Sequence, residues 1–438
     1  MLIDKLASSY LAECSRRGID GEIRVIEESR EELVTRNGLI DSKGRADETV
    51  IGLTVAAGGH KAVLAAGVEA DVATVVAEGH ALVTRPGRGV DAPGGGEPPV
   101  AAARTVVTLS GRETLSLDAV LEDLVDASAA LPDARECEVR AVQVRRTVHH
   151  FTPHVAQSFP TTHGSLVLRA TMVGSDGRVS HVDRSESGPD VSWLLRRFED
   201  RMLRDAHRQL SAPELAAEAA LPSRVVLAGS VAAQLVCLLS EALSAEAVEQ
   251  GSSRLASRLG ASIGDELVTV VDDPLLGDGP RLLPFDDEGV RAAERVLIDA
   301  GRLRGFLGSR DYSSGVTGSA LGNARRPDVM SPPRPGGSNL YIRPGTRELS
   351  LDEPTVRITQ THGMHLSNGI TGEFSTGATA TVHTDGQVHQ VSGLSVTGNV
   401  LDLLRNVRGI GGVPSWCDDG ESSFGAPDLL VTGLVVGR

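Results

Sequence analysis

The stretch "LLSEALSAEAVEQ", residues 238–250, has the make-up of a helix that could carry a hydrolytic metal, except at the positions that would bind it. Zinc-dependent hydrolysis needs two imidazoles from one helix, a carboxylate to take a proton from the metal-bound water, and a third ligand from elsewhere. Ser240 and Ala245 stand where a zinc peptidase would place its imidazoles, and Glu241 alone remains of that set. A hydroxyl and a methyl group supply no strong electron pair, so this helix is not expected to hold zinc at useful affinity. Glu241 reads as a solvated or capping carboxylate.

The richest histidine set is "VHHFTPHVAQSFPTTHGS", with His149, His150, His154 and His163. On a strand His149 and His150 point to opposite faces, so only a subset could converge on one metal. His362 and His365 in "THGMHLSNG" have a spacing that could line a groove. The acidic pairs in "VVDDPLLGDG" and "PFDDEGVR" lack the alternating oxygen ligands of a calcium loop and read as turn and cap residues. "GASIG" matches GxSxG, but a nucleophile elbow needs a strand before Ser262, and "SSRLASRL" is helical in character. Cys417, in "PSWCDDG", sits beside two aspartates, which raise a thiol pKa and blunt its reactivity.

Positioning these groups falls to a chain of 438 residues, 40% hydrophobic, ample for two domains or one large one. A net charge of −15 without clustered Lys and Arg argues against a nucleic-acid partner. Cys14, Cys137, Cys237 and Cys417 are far apart and form no CxxC or CxxH pair, so reduced thiols are expected. Neither an export signal nor a membrane span is apparent, and the expected location is cytoplasmic.

The periodicity predicts an α+β protein: an N-terminal domain of antiparallel sheet and helices, residues 1–221, and a strand-rich C-terminal domain, residues 222–438. Hairpin turns are expected at "RNG", "AGG" and "SDGR". A Gly/Pro-rich flexible loop is expected at about 85–100, and one long helical region is predicted through "VSWLLRRFEDRMLRDAHRQLSAPELAAEAA" as far as Pro222. "SRVVLAG" reads as a buried strand feeding the helix of residues 238–250.

Seven ordered segments, among them "VVLAGSVAAQLVCLLSEALSAEAVEQ", "LVTVVDDPLLGDG", "LLPFDDEGVRAAERVLIDAG", "NGITGEFSTGATATV" and "VTGNVLDLLRNVRGIGG", closely resemble the C-terminal half of the TldD/PmbA family. The resemblance spans about residues 224–438 and is looser before that. In that family TldD subunits carry an HExxxH zinc motif completed by a C-terminal cysteine, whereas TldE (PmbA) subunits lack the motif and pair with TldD. Laid on this chain, the motif falls on Ser240, Glu241 and Ala245, and Cys417 lies where TldD places its third ligand.

The resemblance therefore implies a metal-free TldE-like subunit of a heterodimeric peptidase that degrades or trims small unfolded peptides, with zinc in the TldD-like partner and none here. Thr371, Glu373, Ser375 and Thr376 are expected to line the peptide groove, on a strand able to pair with a substrate backbone. Two alternatives stand beside this reading. One is a specialised independent enzyme acting on a peptide-like or amino-acyl intermediate through the His149–His163 cluster or Cys417. The other is a homodimer that binds peptides without cutting them.

Overall fold

The computed structural model describes residues 2–67, 69–84, 90–91, 105–108, 115–174, 177–216 and 218–437. Apart from Val90 and Asp91, the expected loop at 85–100 lies outside the described residues, as do Ser175 and Asp176 of the "SDGR" turn.

Long alternating strands build the first sheet. Asp20–Arg36 pairs antiparallel with Leu39–Ala57 on one side and Glu136–Phe151 on the other, and Val155–Val173 and Val179–Gly188 extend the sheet beyond. The first turn is tight because Asn37 and Gly38 both take positive φ, 49° and 78°, as a two-residue hairpin turn requires. Odd-numbered positions such as Ile23, Val25, Leu33, Val139 and Phe151 share one face of the sheet. At one end they pack under the helices Leu2–Arg16 and Val72–Thr84, and at the other under Leu121–Ala129 and the helical segments that follow Asp190. The opposite face, carrying Arg24, Val148 and His150, docks on the second half of the chain through Phe159 against Phe285 and through Arg24 against Asp287.

The second half wraps two sheets around one buried helix, Gly229–Ala242. One sheet has Arg224–Leu227, Thr355–His362, Glu373–Thr384 and Gln387–Asn399 side by side; the other has Val270–Asp272, Asn339–Ile342, Ser423–Ala426 and Ser415–Asp418. Val231, Leu235, Leu238 and Leu239 meet side chains of both sheets in a single core. A helix whose apolar residues cover most of its circumference, with its only polar side chains, Ser230, Gln234, Ser240 and Glu241, on the less buried side, belongs in such a place.

Two helical expectations need correction. The segment 238–250 is not one helix. It ends at Ala242 and restarts as Ala245–Glu249, because the Leu243 carbonyl accepts from Leu307 N at 2.9 Å and Ser244, extended at ψ 129°, bridges to Leu307. Nor does the helical region reach Pro222. It runs as Val191–Leu195, a π-type turn Glu199–Leu203 and Arg204–Ser211, then stops at extended Ala212. Pro213 disfavours a helical conformation in the residue before it.

Buried acids brace the second half behind its contact with the first sheet. Asp286 accepts from the backbone N–H groups of Glu288, Val290 and Ala324, and Asp272 accepts from Ser338 and Asn323. Glu288 beside them is pushed from the ordinary 4.5 to about 7 by burial and then by Asp286. Its folded-state pKa is raised, so between pH 4.5 and 7 the folded state binds the extra proton and stability falls as pH rises. Glu288→Gln is expected to leave stability unchanged near pH 4.5 and to raise it at pH 8 by about 2 kcal/mol. Urea unfolding at the two pH values measures this, and equal effects at both would contradict it.

Candidate functional site

The last turn of Gly229–Ala242 delivers Ser240 and Glu241 to a cavity of about 390 Å³, whose other walls include Glu246, Arg334, Asp419 and Glu421. Ser240 donates its hydroxyl to the Cys237 carbonyl oxygen at 2.7 Å, a bond within its own helix. Ala245 lies beyond the helix break and is fully buried. Glu241 faces the cavity with Gly369 alongside, where an added Cβ would come within 2.3 Å of the carboxyl carbon. The absence of a side chain at Gly369 lets the "NGITGEF" segment pass close beside Glu241, which stays exposed, and partial desolvation raises the carboxyl pKa.

Cys417 stands on the strand Ser415–Asp418, packed toward the same core as Cys237. Burial, then the neighbouring Cys237 thiol and the carboxylates Asp418 and Asp419, push its pKa well above the ordinary 9. Cys237 is pushed up to about 12 by burial, followed by Asp419 and Glu241. Both sulfurs are held as thiols, the form that is weak as nucleophile and as ligand.

A protein-family model described as the PmbA/TldA metallopeptidase C-terminal domain matches residues 222–438. The chain belongs to the TldD/PmbA family. A metalloprotease of Methanothermobacter thermautotrophicus is 34% identical over 216 residues, which cover 45% of this chain and 46% of that protein. The chain spans about half the length of the curated relatives it matches. Two solved structures share the fold from end to end. One is TldE from Thermococcus kodakarensis, with a TM-score of 0.76, 17% identity and 100% of both chains covered. The other is a Thermotoga maritima protein described as a candidate modulator of a DNA gyrase, with a TM-score of 0.78, 21% identity, and 99% of this chain and 100% of that one covered.

A TldD/PmbA chain raises the question of zinc, and the side chains at the motif positions do not fit it. Of that set, Ser240 is bonded to its own helix and Ala245 offers a methyl group, which leaves one carboxylate, Glu241, and one sulfur, Cys417, where a zinc site needs at least three strong ligands. Among the described residues no group of three His, Cys, Asp or Glu side chains is placed to hold a metal ion.

The histidines are dispersed. His149 lies on the helix-covered face, with Nε2 2.9 Å from Glu27 and its ring stacked on Phe151. His150 points the other way, buried, with Nε2 3.4 Å from Glu22. His154 is exposed at the turn between strands. His163 sits opposite Val144, five positions along its strand from the partner of His149, and burial, followed by Arg281, lowers its pKa to about 3. His362 faces a separate cavity of about 540 Å³ shared with His181, and His365 lies in the short turn Met364–Leu366.

The four groove residues divide by strand alternation. Glu373 and Ser375 face solvent, Glu373 lying 3.6 Å from Arg254 and Ser375 bonding Thr397. Thr376 is buried and donates to the His362 carbonyl oxygen at 2.6 Å. Thr371 helps close the turn that precedes the strand. From Gly377 onward the strand is hydrogen-bonded on both sides, and Glu373 is already bridged to Asn368, so a free backbone edge is left only at Phe374–Thr376. Sequence reasoning passed over Asp419 and Glu421, which the hairpin after Cys417 brings opposite Glu241; the acidic run "CDDGE" was the available signal.

Proposed function

We propose that this chain is a noncatalytic, TldE/PmbA-like subunit that forms the wall of a peptide-cleaving chamber while a TldD-like partner supplies zinc and general base. The observation that carries this reading is the pair of replaced imidazole positions: Ser240 with its hydroxyl committed to Cys237, and Ala245 buried beyond a helix break. With both imidazole positions replaced, Glu241 has no metal-bound water beside it, and so lacks the proton-accepting task that the motif glutamate of a zinc peptidase performs. Small unfolded peptides fit the role, because the strand Glu373–Thr384 keeps a short unpaired edge at Phe374–Thr376 to which a few residues of one extended chain could pair. The reading places the complex in the cytoplasm.

The test is reconstitution. The purified chain is expected to contain substoichiometric zinc and to leave unstructured peptides intact. Mixing it with a homologue that retains HExxxH is expected to yield a heterodimer with peptidase activity. Stoichiometric metal in the isolated chain, lost on replacing His149 or His154, would instead identify an independent enzyme.

A further inference from the structure

The strand Glu373–Thr384 runs through the interior of its sheet, between Thr355–His362 and Gln387–Asn399, yet near its start it lacks one neighbour. A glycine opens the gap. Thr355–His362 ends where Gly363 takes a left-handed φ of 89°, and the chain leaves the sheet through the short turn Met364–Leu366, which Met364 anchors by burying its side chain in the core. It returns at Asn368, whose N–H donates to the Glu373 carbonyl at 3.1 Å. The end of the departing strand is itself engaged, because the His362 carbonyl accepts the Thr376 hydroxyl at 2.6 Å.

Alternation along an antiparallel strand fixes which peptide groups look into this gap. The Gly372 carbonyl accepts from Val400 N at 2.8 Å and so points away from it, whereas the Glu373 carbonyl points toward it, at Asn368. Phe374 and Thr376 therefore face Gln387–Asn399, and Ser375 faces the gap. The hydroxyls agree with this phase: Ser375 and Thr397 lie opposite each other with their oxygens 3.0 Å apart, the closeness expected where a facing pair exchanges no backbone bonds. Ser375 is exposed, and its N–H and C=O have no partner among the described residues. A strand inside a sheet ordinarily leaves no such pair open.

We propose that Ser375 is the docking point for an extended peptide, one residue of which accepts from the Ser375 N–H and donates to the Ser375 carbonyl. Strand addition at a sheet edge ordinarily builds a ladder of such bonds. Here the flanking pairs Glu373–Asn368 and Gly377–His362 close the gap at both ends, so a single peptide residue is held in this way. The segment that borders the gap also supplies Ile370 to the Glu241 cavity, so the docked chain and that cavity share a wall. The occupant follows from the chamber reading above and rests on it; the docking point rests on this chain's own backbone.

Pentaalanine and pentasarcosine are the probes, since they are isomers and the second carries a methyl group on every backbone nitrogen. Calorimetry on this chain alone is expected to show one equivalent of pentaalanine bound about tenfold more tightly than pentasarcosine. Ser375→Pro removes an N–H that the sheet does not use, so its thermal melt should match the parent while pentaalanine binding weakens about tenfold. Ser375→Ala should bind within about twofold of the parent, because the hydroxyl plays no part. Equal binding of the two isomers would overturn the proposal, and so would undiminished binding by Ser375→Pro or no binding of pentaalanine at about 10 mM. Were Ser375→Pro to melt early, the two isomers on the parent chain would still decide. Intact pentaalanine binding in a chain that yields no peptidase with an HExxxH partner would overturn the subunit reading and leave the docking point standing.

Discussion

Arg357→Met is expected to lower stability by about 3 kcal/mol, whereas Arg405→Met should change it by less than about 0.5 kcal/mol. Arg357 donates to Asp428 at 3.0 Å and to Asp205 at 2.8 Å, and its side chain is 15% exposed. Asp428 in turn accepts from the Gly229 N–H at the start of the central helix, and Asp205 accepts from Arg184, itself bonded to Gln209. One guanidinium thus ties the central helix, the strand Thr355–His362 and the helix Arg204–Ser211 together. Removing it leaves two carboxylates facing each other, each only a quarter exposed. Arg405 pairs with Asp402 in open solvent, where screening and side-chain entropy cancel most of the attraction.

The effect of Arg357→Met should also depend on pH. Burial would raise the Asp205 pKa, but Arg357 and then Arg184 outweigh it and hold the carboxyl below its ordinary 3.8. A depressed acid stabilises the fold above its unfolded pKa and ceases to do so as pH falls through the folded value. The difference between Arg357→Met and the parent should therefore be full at neutral pH and shrink below about pH 4 as the carboxylates protonate. Urea titrations at pH 7 and pH 3 measure it; a difference that stays constant would mean that lost packing, not charge, is responsible.

What could be read in the chain before folding, and what could not, follows the range of the interactions involved. The hairpin at Asn37–Gly38 was legible because positive φ at two successive residues restricts the residue types locally. The buried strand Arg224–Leu227 was legible because "SRVVLAG" is a short apolar run around the β-branched Val225 and Val226. The break after Ala242 was not, since the group that captures the Leu243 carbonyl is Leu307, more than sixty residues away, and nothing within 238–250 encodes it. Asp419 and Glu421 meet Glu241 only because the hairpin of Ser415–Asp418 and Ser423–Ala426 packs against the central helix.

In a reconstituted heterodimer, changing the motif glutamate of the partner to glutamine should cost about 10²- to 10⁴-fold in kcat, while Glu241→Gln in this chain should leave kcat within about twofold. The partner's carboxylate would receive a proton from metal-activated water, so its loss removes a step of the chemistry. Glu241 meets none of those conditions. Its neighbours are the Ser240 hydroxyl bonded to Cys237, the backbone of Gly369 and the further cavity walls Glu246, Arg334, Asp419 and Glu421, and no imidazole is among them. Its raised pKa comes from partial desolvation of the charged form, which a neutral amide of the same shape does not suffer. The contrast between two glutamates in corresponding positions is the sharpest consequence of the subunit reading, because misfolding or weakened assembly would affect both variants through KM and yield. A tenfold or greater loss of kcat in Glu241→Gln, with the heterodimer intact by size-exclusion chromatography, would transfer a catalytic role to this chain and overturn the division of labour proposed here.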